Sequence, residues 1–211
     1  MNEHMNFDSV IFDMDGTLWD AVDSYCKVWN RTIADLGLSL AEVTRPRLAA
    51  LMGVPIEGIY AELIGDEKVA PEFMERLGAN ERAMMPTLGG RLYPGVRTTL
   101  EALRERGLRL FMVSNCQADG LPNFLKFTGL GSLVEGTLSF GDDGCEKDEN
   151  IRRIVGQYGL KRPVYVGDTA GDCRSSHAAG VPFVWAAYGF GSGVTGEEHK
   201  IDSIEELVDI V

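Results

Sequence analysis

Two aspartates, Asp13 and Asp15, follow an apolar segment and lead directly into a glycine turn. In an extended chain, residues two apart point the same way, so the two carboxylates leave the segment together. Gly16 then lets the backbone bend away at once. Two carboxylates this close resist being ionised together, so one should have a raised pKa unless a cation intervenes. The pair suits a nucleophile or metal ligand beside a general acid/base, although aspartates also cap strands and open turns.

Further polar side chains follow two other apolar segments. Ser114 and Asn115 offer a hydroxyl, an amide and backbone N–H groups that can hold phosphate oxygens. Asp168 and Asp172 lie at the end of another predicted strand and in the first turn of the helix after it. Carboxylates packed this closely favour Mg²⁺. Lys147, alone before a helical stretch, supplies a cation.

Short apolar runs alternate with helical patterns, which indicates how these residues are positioned. The predicted strands are 10–12, 108–113, 137–140, 164–166 and 183–185, and the predicted helices between them include 96–103, 148–158 and 170–179. This alternation predicts an α/β fold with a doubly wound, parallel, Rossmann-like sheet. In such sheets, ligands gather at the carboxyl ends of the strands.

The first and second predicted strands are separated by roughly 90 residues, far more than an ordinary connection requires. Apolar residues in 22–36 follow the spacing of an amphipathic helix, and an all-helical pattern broken by glycines and prolines continues from there. We therefore predict an all-helical cap domain at 19–88, inserted into an α/β core domain formed by 1–18 and 89–211.

Composition limits the classes of partner. The formal net charge of −12 argues against nucleic acid and anionic membrane surfaces, which require basic patches. No apolar stretch approaches the ~20 residues of a membrane span, and residues 1–8 lack the regions of a secretory signal. We expect a cytoplasmic protein that is a monomer or weak homodimer. Its four scattered cysteines are expected to be free thiols.

Taken in chain order, these motifs resemble those of the haloacid dehalogenase-like (HAD) hydrolase superfamily. The residues that carry the resemblance are Asp13-x-Asp15-Gly16-Thr17, Ser114-Asn115, Lys147 and Gly167-Asp168-Thr169-x-x-Asp172. The match covers the whole chain, and the helical insertion resembles the cap of the phosphoglycolate phosphatase-like branch. It implies a Mg²⁺-dependent phosphatase that acts on a small phosphorylated metabolite.

The resemblance also implies a role for each acidic residue. Asp13 would attack phosphorus and form an aspartyl-phosphate. Asp15 would protonate the leaving alcohol and then act as base toward water. Mg²⁺ would be held by the Asp13 carboxylate, the Asp15 backbone carbonyl and Asp168. Asp172 would be either a direct ligand or a group that orients bound water.

Phosphate binding is assigned in the same way to residues outside the acidic set. Ser114, the backbone N–H of Asn115 and Lys147 would bind the non-bridging oxygens, with Thr17 as a further substrate-binding residue. The loop around Gly53 is expected to help select the substrate. Many relatives have a proline after the motif lysine, and here Asp148 is predicted to cap the helix instead.

Three alternatives to these assignments are considered. A sugar-phosphate mutase of the same family would carry an arginine shortly after the cap glycine, and the run 53–56 has none. A non-catalytic protein that binds a phosphorylated ligand would be expected to lose Asp13 or Asp15, and both are present. The glycine-rich run 189–193 does not complete a dinucleotide fingerprint, so it is predicted to be a flexible loop beside the site.

Overall fold

Residues 7–65 and 70–211 are described by the computed structural model of the chain. Residues 1–6 of the predicted core and 66–69 of the predicted cap lie outside this range. The strands of the described part, in chain order, are β1 (Ser9–Phe12), β2 (Trp19–Asp20), β3 (Arg91–Leu92), β4 (Arg109–Ser114), β5 (Gly136–Ser139), β6 (Pro163–Gly167), β7 (Phe183–Ala186) and β8 (His199–Ile201).

The helices of the described part fall into two groups. Four lie between β2 and β3, namely α1 (Val22–Asp35), α2 (Arg45–Ala49), α3 (Ile56–Ile64) and α4 (Pro71–Leu88). The others are α5 (Val96–Glu105), α6 (Gly120–Thr128), α7 (Phe140–Asp143), α8 (Lys147–Tyr158), α9 (Ala170–Ala178) and α10 (Leu207–Ile210), the last preceded by a 3₁₀ turn at Ile204–Glu206.

The main sheet of the described residues is parallel and has the strand order β5-β4-β1-β6-β7-β8. The predicted fold class is therefore confirmed. Thr137 to Ser139 lie in β5 as predicted, but Phe140 already begins α7. β8 was not predicted, because a three-residue edge strand with two polar residues carries too little apolar periodicity to be recognised.

Both faces of the sheet are buried, as the continuous apolar runs predict. Val10 and Phe12 belong to one hydrophobic cluster, whereas Ile11 belongs to a second cluster that packs on the opposite face. This alternation follows from the two-residue period of a strand. The second cluster includes Ile151 and Ile154 of α8, so that helix is anchored beneath the strands.

The inserted helices pack around their own aromatic residues. The ring of Phe73 in α4 lies 5.4 Å from that of Trp29 and 5.0 Å from that of Tyr60. The predicted amphipathic helix is confirmed, because α1 buries Val22 and Trp29 on one face. The chain enters and leaves the insertion through an antiparallel pair in which Trp19 of β2 faces Leu92 of β3.

Two further expectations can be compared with the described part of the chain. None of its helices combines the length and apolar character that crossing a membrane requires. All four cysteines are free thiols, as predicted.

Candidate active site

Three neighbouring strands bring polar residues together at one edge of the main sheet. β1 lies between β4 and β6, and the three strands run parallel. Ser114 is the last residue of β4, while Asp13 and Asp168 directly follow β1 and β6. All three side chains are buried. The parallel register therefore places residues about 150 positions apart in one site.

A tight turn after β1 sets the direction of the two aspartates. The carbonyl oxygen of Met14 accepts hydrogen bonds from the N–H groups of Leu18 at 2.9 Å and Trp19 at 3.2 Å. Gly16 has a φ of +87°, which favours glycine, and a Cβ there would lie 2.3 Å from Oδ2 of Asp168. The glycine is therefore required both by the backbone and by the close approach of Asp168.

Lys147 joins two carboxylates inside the site. Its Nζ donates to Oδ1 of Asp13 at 2.9 Å and to Oδ1 of Asp172 at 2.5 Å. All three side chains are at most 4% exposed. Burial alone would lower the pKa of Lys147, but the two carboxylates raise it well above its usual value. The ammonium group therefore stays charged.

Lys147 is itself the first residue of α8, and Glu146 occupies the N-cap position without a side-chain hydrogen bond. The prediction that Asp148 caps this helix is wrong. Asp148 lies inside the first turn and pairs with Arg152 one turn later, at 2.7 Å. Negative charge in the first turn still interacts favourably with the helix dipole.

The carboxylates of Asp13, Asp168 and Asp172 form a cluster suited to a metal ion. Each offers an oxygen, and these oxygens lie within 4.8 Å of one another. Oxygen ligands of this kind are those that Mg²⁺ prefers. Both oxygens of Asp172 already accept hydrogen bonds, Oδ1 from Lys147 and Oδ2 from the N–H and hydroxyl of Thr169. Lys147 also bonds Oδ1 of Asp13, and both oxygens of Asp168 have hydrogen-bond partners, so neighbouring groups hold all three carboxylates in place.

Without a metal ion, the negative charges of these carboxylates repel one another. Burial raises the pKa of Asp13 to about 6, against the opposing charge of Lys147. Burial, with the charges of Asp172 and Asp13, raises the pKa of Asp168 to about 8. A bound divalent cation would reverse this effect and favour the ionised carboxylates. The donor set therefore fits Mg²⁺.

Asp15 points away from this cluster and is held by two aromatic side chains. Trp19 donates its Nε1–H to Oδ1 of Asp15 at 2.9 Å, and the Tyr25 hydroxyl contacts Oδ2 at 3.5 Å. Burial, followed by the charge of Asp13, raises the pKa of Asp15 well above its usual value. A raised pKa favours the protonated carboxyl group that a general acid requires.

The remaining predicted residues occupy two different positions. Asn115 lines the cavity beside Ser114, and its side-chain amide donates to the carbonyl oxygen of Gly53 at 3.0 Å. Gly53 therefore lies at the site, as its prediction as a substrate-selecting residue requires. Thr17 is fully buried and its hydroxyl contacts Oδ1 of Asp168 at 3.4 Å. It is thus placed to support a carboxylate rather than to line the cavity.

The glycine-rich loop 189–193, which was predicted to lie beside the site, contacts one of its carboxylates. The backbone N–H groups of Phe190 and Gly191 donate to Oδ2 of Asp168 at 2.8 and 3.3 Å. A Cβ at Gly189 would lie 2.3 Å from the carbonyl oxygen of Gly16. The glycine spacing in 189–193 was the available signal, and it reflects close packing on Asp168.

A cavity of about 170 Å³ opens beside Asp13 and Asp15. One side is formed by the sheet edge and the loop that follows β4, including Ser114 and Asn115. The other is formed by residues of the inserted helices, which include Trp29, Leu48, Met52, Ile59, Glu81 and Met85. A molecule bound there would meet the carboxylates at one end and the inserted helices at the other.

Comparison with known proteins identifies the family that the sequence matches. The family model for haloacid dehalogenase-like hydrolases matches residues 10–186. The "Phosphoglycolate phosphatase, plasmid" of Cupriavidus necator is 29% identical over 212 residues, which cover 94% of this chain and 90% of that protein. A phosphoglycolate phosphatase of Agrobacterium fabrum is 31% identical over 191 residues, which cover 85% of this chain and 80% of that protein.

Solved structures share the fold at lower sequence identity. A haloacid dehalogenase-like family hydrolase from Streptococcus pneumoniae superposes with a TM-score of 0.83 at 17% identity, covering 96% of this chain and 97% of its own. CbbY from Rhodobacter sphaeroides, solved in complex with phosphate, gives a TM-score of 0.80 at 18% identity, covering 96% of each chain. Since the family model spans most of the sequence, this chain belongs to the haloacid dehalogenase-like hydrolases, as its motifs predict.

Proposed function

We propose that this chain is a Mg²⁺-dependent phosphatase that hydrolyses a small phosphorylated metabolite through an aspartyl-phosphate on Asp13. The observation that carries the proposal is the contact of Lys147 with Asp13, at 2.9 Å, beside the metal-suited carboxylates. A buried carboxylate next to a fixed cation and a candidate metal site can approach a phosphate without prohibitive repulsion. The relatives named as phosphoglycolate phosphatases support the same reaction class.

The first half of the reaction uses Asp13 and Asp15. A carboxylate oxygen of Asp13 attacks phosphorus, and the bond between phosphorus and the leaving oxygen breaks. Asp15 gives its proton to that oxygen, so the product leaves as an alcohol. The hydrogen bond from Trp19 and the contact with Tyr25 hold Asp15 for this transfer.

The second half returns both aspartates to their starting states. Asp15 takes a proton from water, whose oxygen attacks phosphorus and displaces the Asp13 carboxylate. Inorganic phosphate is released. Ser114, the backbone N–H of Asn115 and Lys147 are the residues that would bind the non-bridging oxygens, and all of them line the cavity.

Mg²⁺ would be held by the Asp13 carboxylate, the Asp15 backbone carbonyl and Asp168, where it would neutralise charge on the phosphoryl group. In this scheme Asp172 would be either a direct metal ligand or a group that orients bound water, and its contacts with Lys147 and Thr169 hold it in place. The backbone donors of Phe190 and Gly191 would orient Asp168.

We also propose the division into a core of 1–18 and 89–211 and a cap of 19–88. The antiparallel pairing of β2 with β3 supports this division, because the chain passes from the core to the cap at β2 and returns to the core at β3. In the described residues, the polar contacts that join the two parts near the cavity include those of Trp19 and Tyr25 with Asp15. Asn115 bonds to the Gly53 carbonyl, and Arg82 lies 3.9 Å from Asp119. A cap in this position would exclude water from the reaction.

The proposed function is tested by phosphate release from p-nitrophenyl phosphate and a panel of phosphorylated metabolites, with Mg²⁺ or with EDTA. We expect turnover with Mg²⁺ and none after chelation. Asp13→Asn should lower kcat by about 10³-fold or more and prevent an acid-labile phosphoenzyme. Asp23→Asn, at a side chain that is 71% exposed, is the matched control and should behave like the wild type.

Two outcomes would contradict the proposal. Full activity after exhaustive chelation would remove the metal from the reaction. An Asp13→Asn variant with wild-type turnover would exclude Asp13 as nucleophile. Transfer of phosphate to a second sugar phosphate, with little release to water, would favour the mutase alternative instead.

A further inference from the structure

The cavity beside the aspartates has an apolar wall and an acidic end. Glu81 of α4 and Asp119, which precedes α6, both line it. In the described part of the chain, the basic residues that line it are Lys147 and Arg82. Lys147 is bound by two carboxylates at the phosphate end. Arg82 is exposed and lies 3.9 Å from the Asp119 carboxylate.

Glu81 lines the same cavity as Tyr25 and Asp15, the proposed general acid. Its charge acts on Tyr25, whose pKa is raised well above its usual value by burial and by Asp15, Cys116 and Glu81. The Tyr25 hydroxyl is in turn 3.5 Å from Oδ2 of Asp15. Tyr25 therefore contacts Asp15 and feels the charge of Glu81, and all three residues line one cavity.

No hydrogen bond to the Glu81 carboxylate is present within residues 7–65 and 70–211. Burial raises the pKa of Glu81 to about 7, and Asp119 adds to this effect while Arg82 opposes it. A partly buried carboxylate that faces a cavity without a partner is costly unless a ligand supplies the donor.

We propose that Glu81 binds an ammonium group on the leaving group of the substrate, so that this chain hydrolyses phosphomonoesters of short amino alcohols. The inference rests on the proposed phosphatase function and names the substrate class of that site. An ammonium group would supply both the charge and the donor that Glu81 lacks. A carboxylate in the same place would face Glu81 and Asp119, and Arg82 is already near Asp119.

The substrate class proposed here differs from the substrate in the names of the relatives. Phosphoglycolate carries a carboxylate at the position where 2-aminoethyl phosphate carries an ammonium group. The two esters are otherwise of similar size, so their comparison isolates the charge that the cavity selects.

The test is the kcat/KM of four esters, 2-aminoethyl, 3-aminopropyl and 2-hydroxyethyl phosphate and phosphoglycolate, with p-nitrophenyl phosphate as a reference. We expect the wild type to prefer the better aminoalkyl ester to phosphoglycolate by at least tenfold. Glu81→Gln should lower that ratio by tenfold or more while changing 2-hydroxyethyl phosphate by less than threefold. Glu81→Lys should reverse the preference toward phosphoglycolate.

Glu75→Gln is the control, because Glu75 is an exposed glutamate on the same helix. It should keep the wild-type ratio. A wild type that prefers phosphoglycolate, or that hydrolyses p-nitrophenyl phosphate but neither aminoalkyl ester, would overturn the inference. The inference would also be overturned if the ratio of kcat/KM for the aminoalkyl ester to kcat/KM for phosphoglycolate in Glu81→Gln stayed within twofold of the wild-type ratio. Absence of Mg²⁺-dependent hydrolysis of p-nitrophenyl phosphate would instead reject the proposed function itself.

Discussion

The ammonium group of Lys147 lies 2.5 Å from Oδ1 of Asp172, and the same carboxylate accepts hydrogen bonds from the backbone N–H and hydroxyl of Thr169 through its other oxygen. Asp172 therefore links the N-terminal turn of α9 to the first residue of α8. This link orients Lys147 toward Asp13, so the cation is preorganised before a phosphate arrives.

Replacing Lys147 by alanine tests this preorganisation. We expect kcat/KM to fall by at least ~30-fold, about 2 kcal/mol of transition-state stabilisation. The melting temperature should also fall, because two buried carboxylates lose their shared partner. Lys126→Ala, at an exposed lysine of α6, is the control for both measurements. If the variant stays within threefold of the wild type, another cation performs this role.

Gly16→Ala should lower activity much more than an ordinary glycine substitution. A Cβ at this position would lie 2.3 Å from Oδ2 of Asp168, in addition to the strain of a φ of +87°. We expect kcat/KM with Mg²⁺ to fall by about 10²-fold, as for a misplaced catalytic group. Gly37→Ala is the matched control. Gly37 also has a positive φ, of +63°, but a Cβ added there would have no atom within 4 Å.

Both glycine variants should lose stability through backbone strain, by about 1–3 kcal/mol. Only Gly16→Ala should disturb the acidic cluster. Equal losses of activity in the two variants would show that the contact between Gly16 and Asp168 is unimportant, and that strain alone explains the effect.

The metal-free chain should become less stable as pH rises from 5 to 8. The pKa of Asp168 is raised in the folded chain from its usual 3.8 to about 8, mainly by burial. Between these values the folded state binds more protons than the unfolded state, so the free energy of unfolding falls as pH rises. Mg²⁺ should reduce this fall, because it replaces the protons as the counter-charge.

The measurement is the melting temperature at pH 5 and pH 8, in EDTA and in Mg²⁺. Asp13 and Glu81, whose pKa values are raised to about 6 and about 7, act in the same direction as Asp168 over this range. Comparison with Asp168→Asn isolates the contribution of Asp168, since that variant should have a smaller metal-free pH dependence than the wild type and lose most of the Mg²⁺ effect. The same pH dependence in both proteins would contradict the assignment to Asp168.

Trp19→Phe should affect substrates according to their leaving groups. The substitution removes the 2.9 Å hydrogen bond to Asp15 but keeps an aromatic ring beside Phe124. The hydrogen bond orients the Asp15 carboxyl group, and misplacement of a catalytic group can cost about 10²-fold, so we expect roughly a tenfold or larger loss of kcat on alkyl phosphates. p-Nitrophenyl phosphate, whose leaving group needs no proton, should change by less than threefold.

Trp29→Phe controls for the loss of an indole, because Trp29 packs against Phe73 in the insertion. It should change both substrate types equally. A Trp19→Phe variant that slows alkyl and aryl phosphates to the same extent would mean that Trp19 does not position a general acid.

Much of the site was predictable because its residues occur in short, ordered motifs. Apolar runs located the strands that precede Asp13, Ser114 and Asp168, and parallel pairing then requires the ends of these strands to meet. The long helical interval after the first strand predicted the insertion. These features depend on local periodicity and chain order, which a sequence displays directly.

Other features depend on contacts between distant segments. No local signal indicates that Trp19 would turn its indole onto Asp15, or that the backbone at Phe190 would donate to Asp168. Likewise, Glu81 is one of many glutamates in the sequence until the fold places it in the lining of the cavity. Hydrogen-bond geometry and desolvation are properties of the folded packing.

The sequence by itself therefore determined the fold class, the family and the set of charged groups, because each is encoded in residue type and spacing. Only the tertiary structure decided how those charges are paired. The pairing of Lys147 with Asp13 and Asp172 depends on distances of a few ångströms between segments far apart in the chain. The exposure of the Glu81 carboxylate to the cavity depends on the same kind of packing. Electrostatic interactions change steeply over such distances in a buried site, so pairing cannot be inferred from spacing alone.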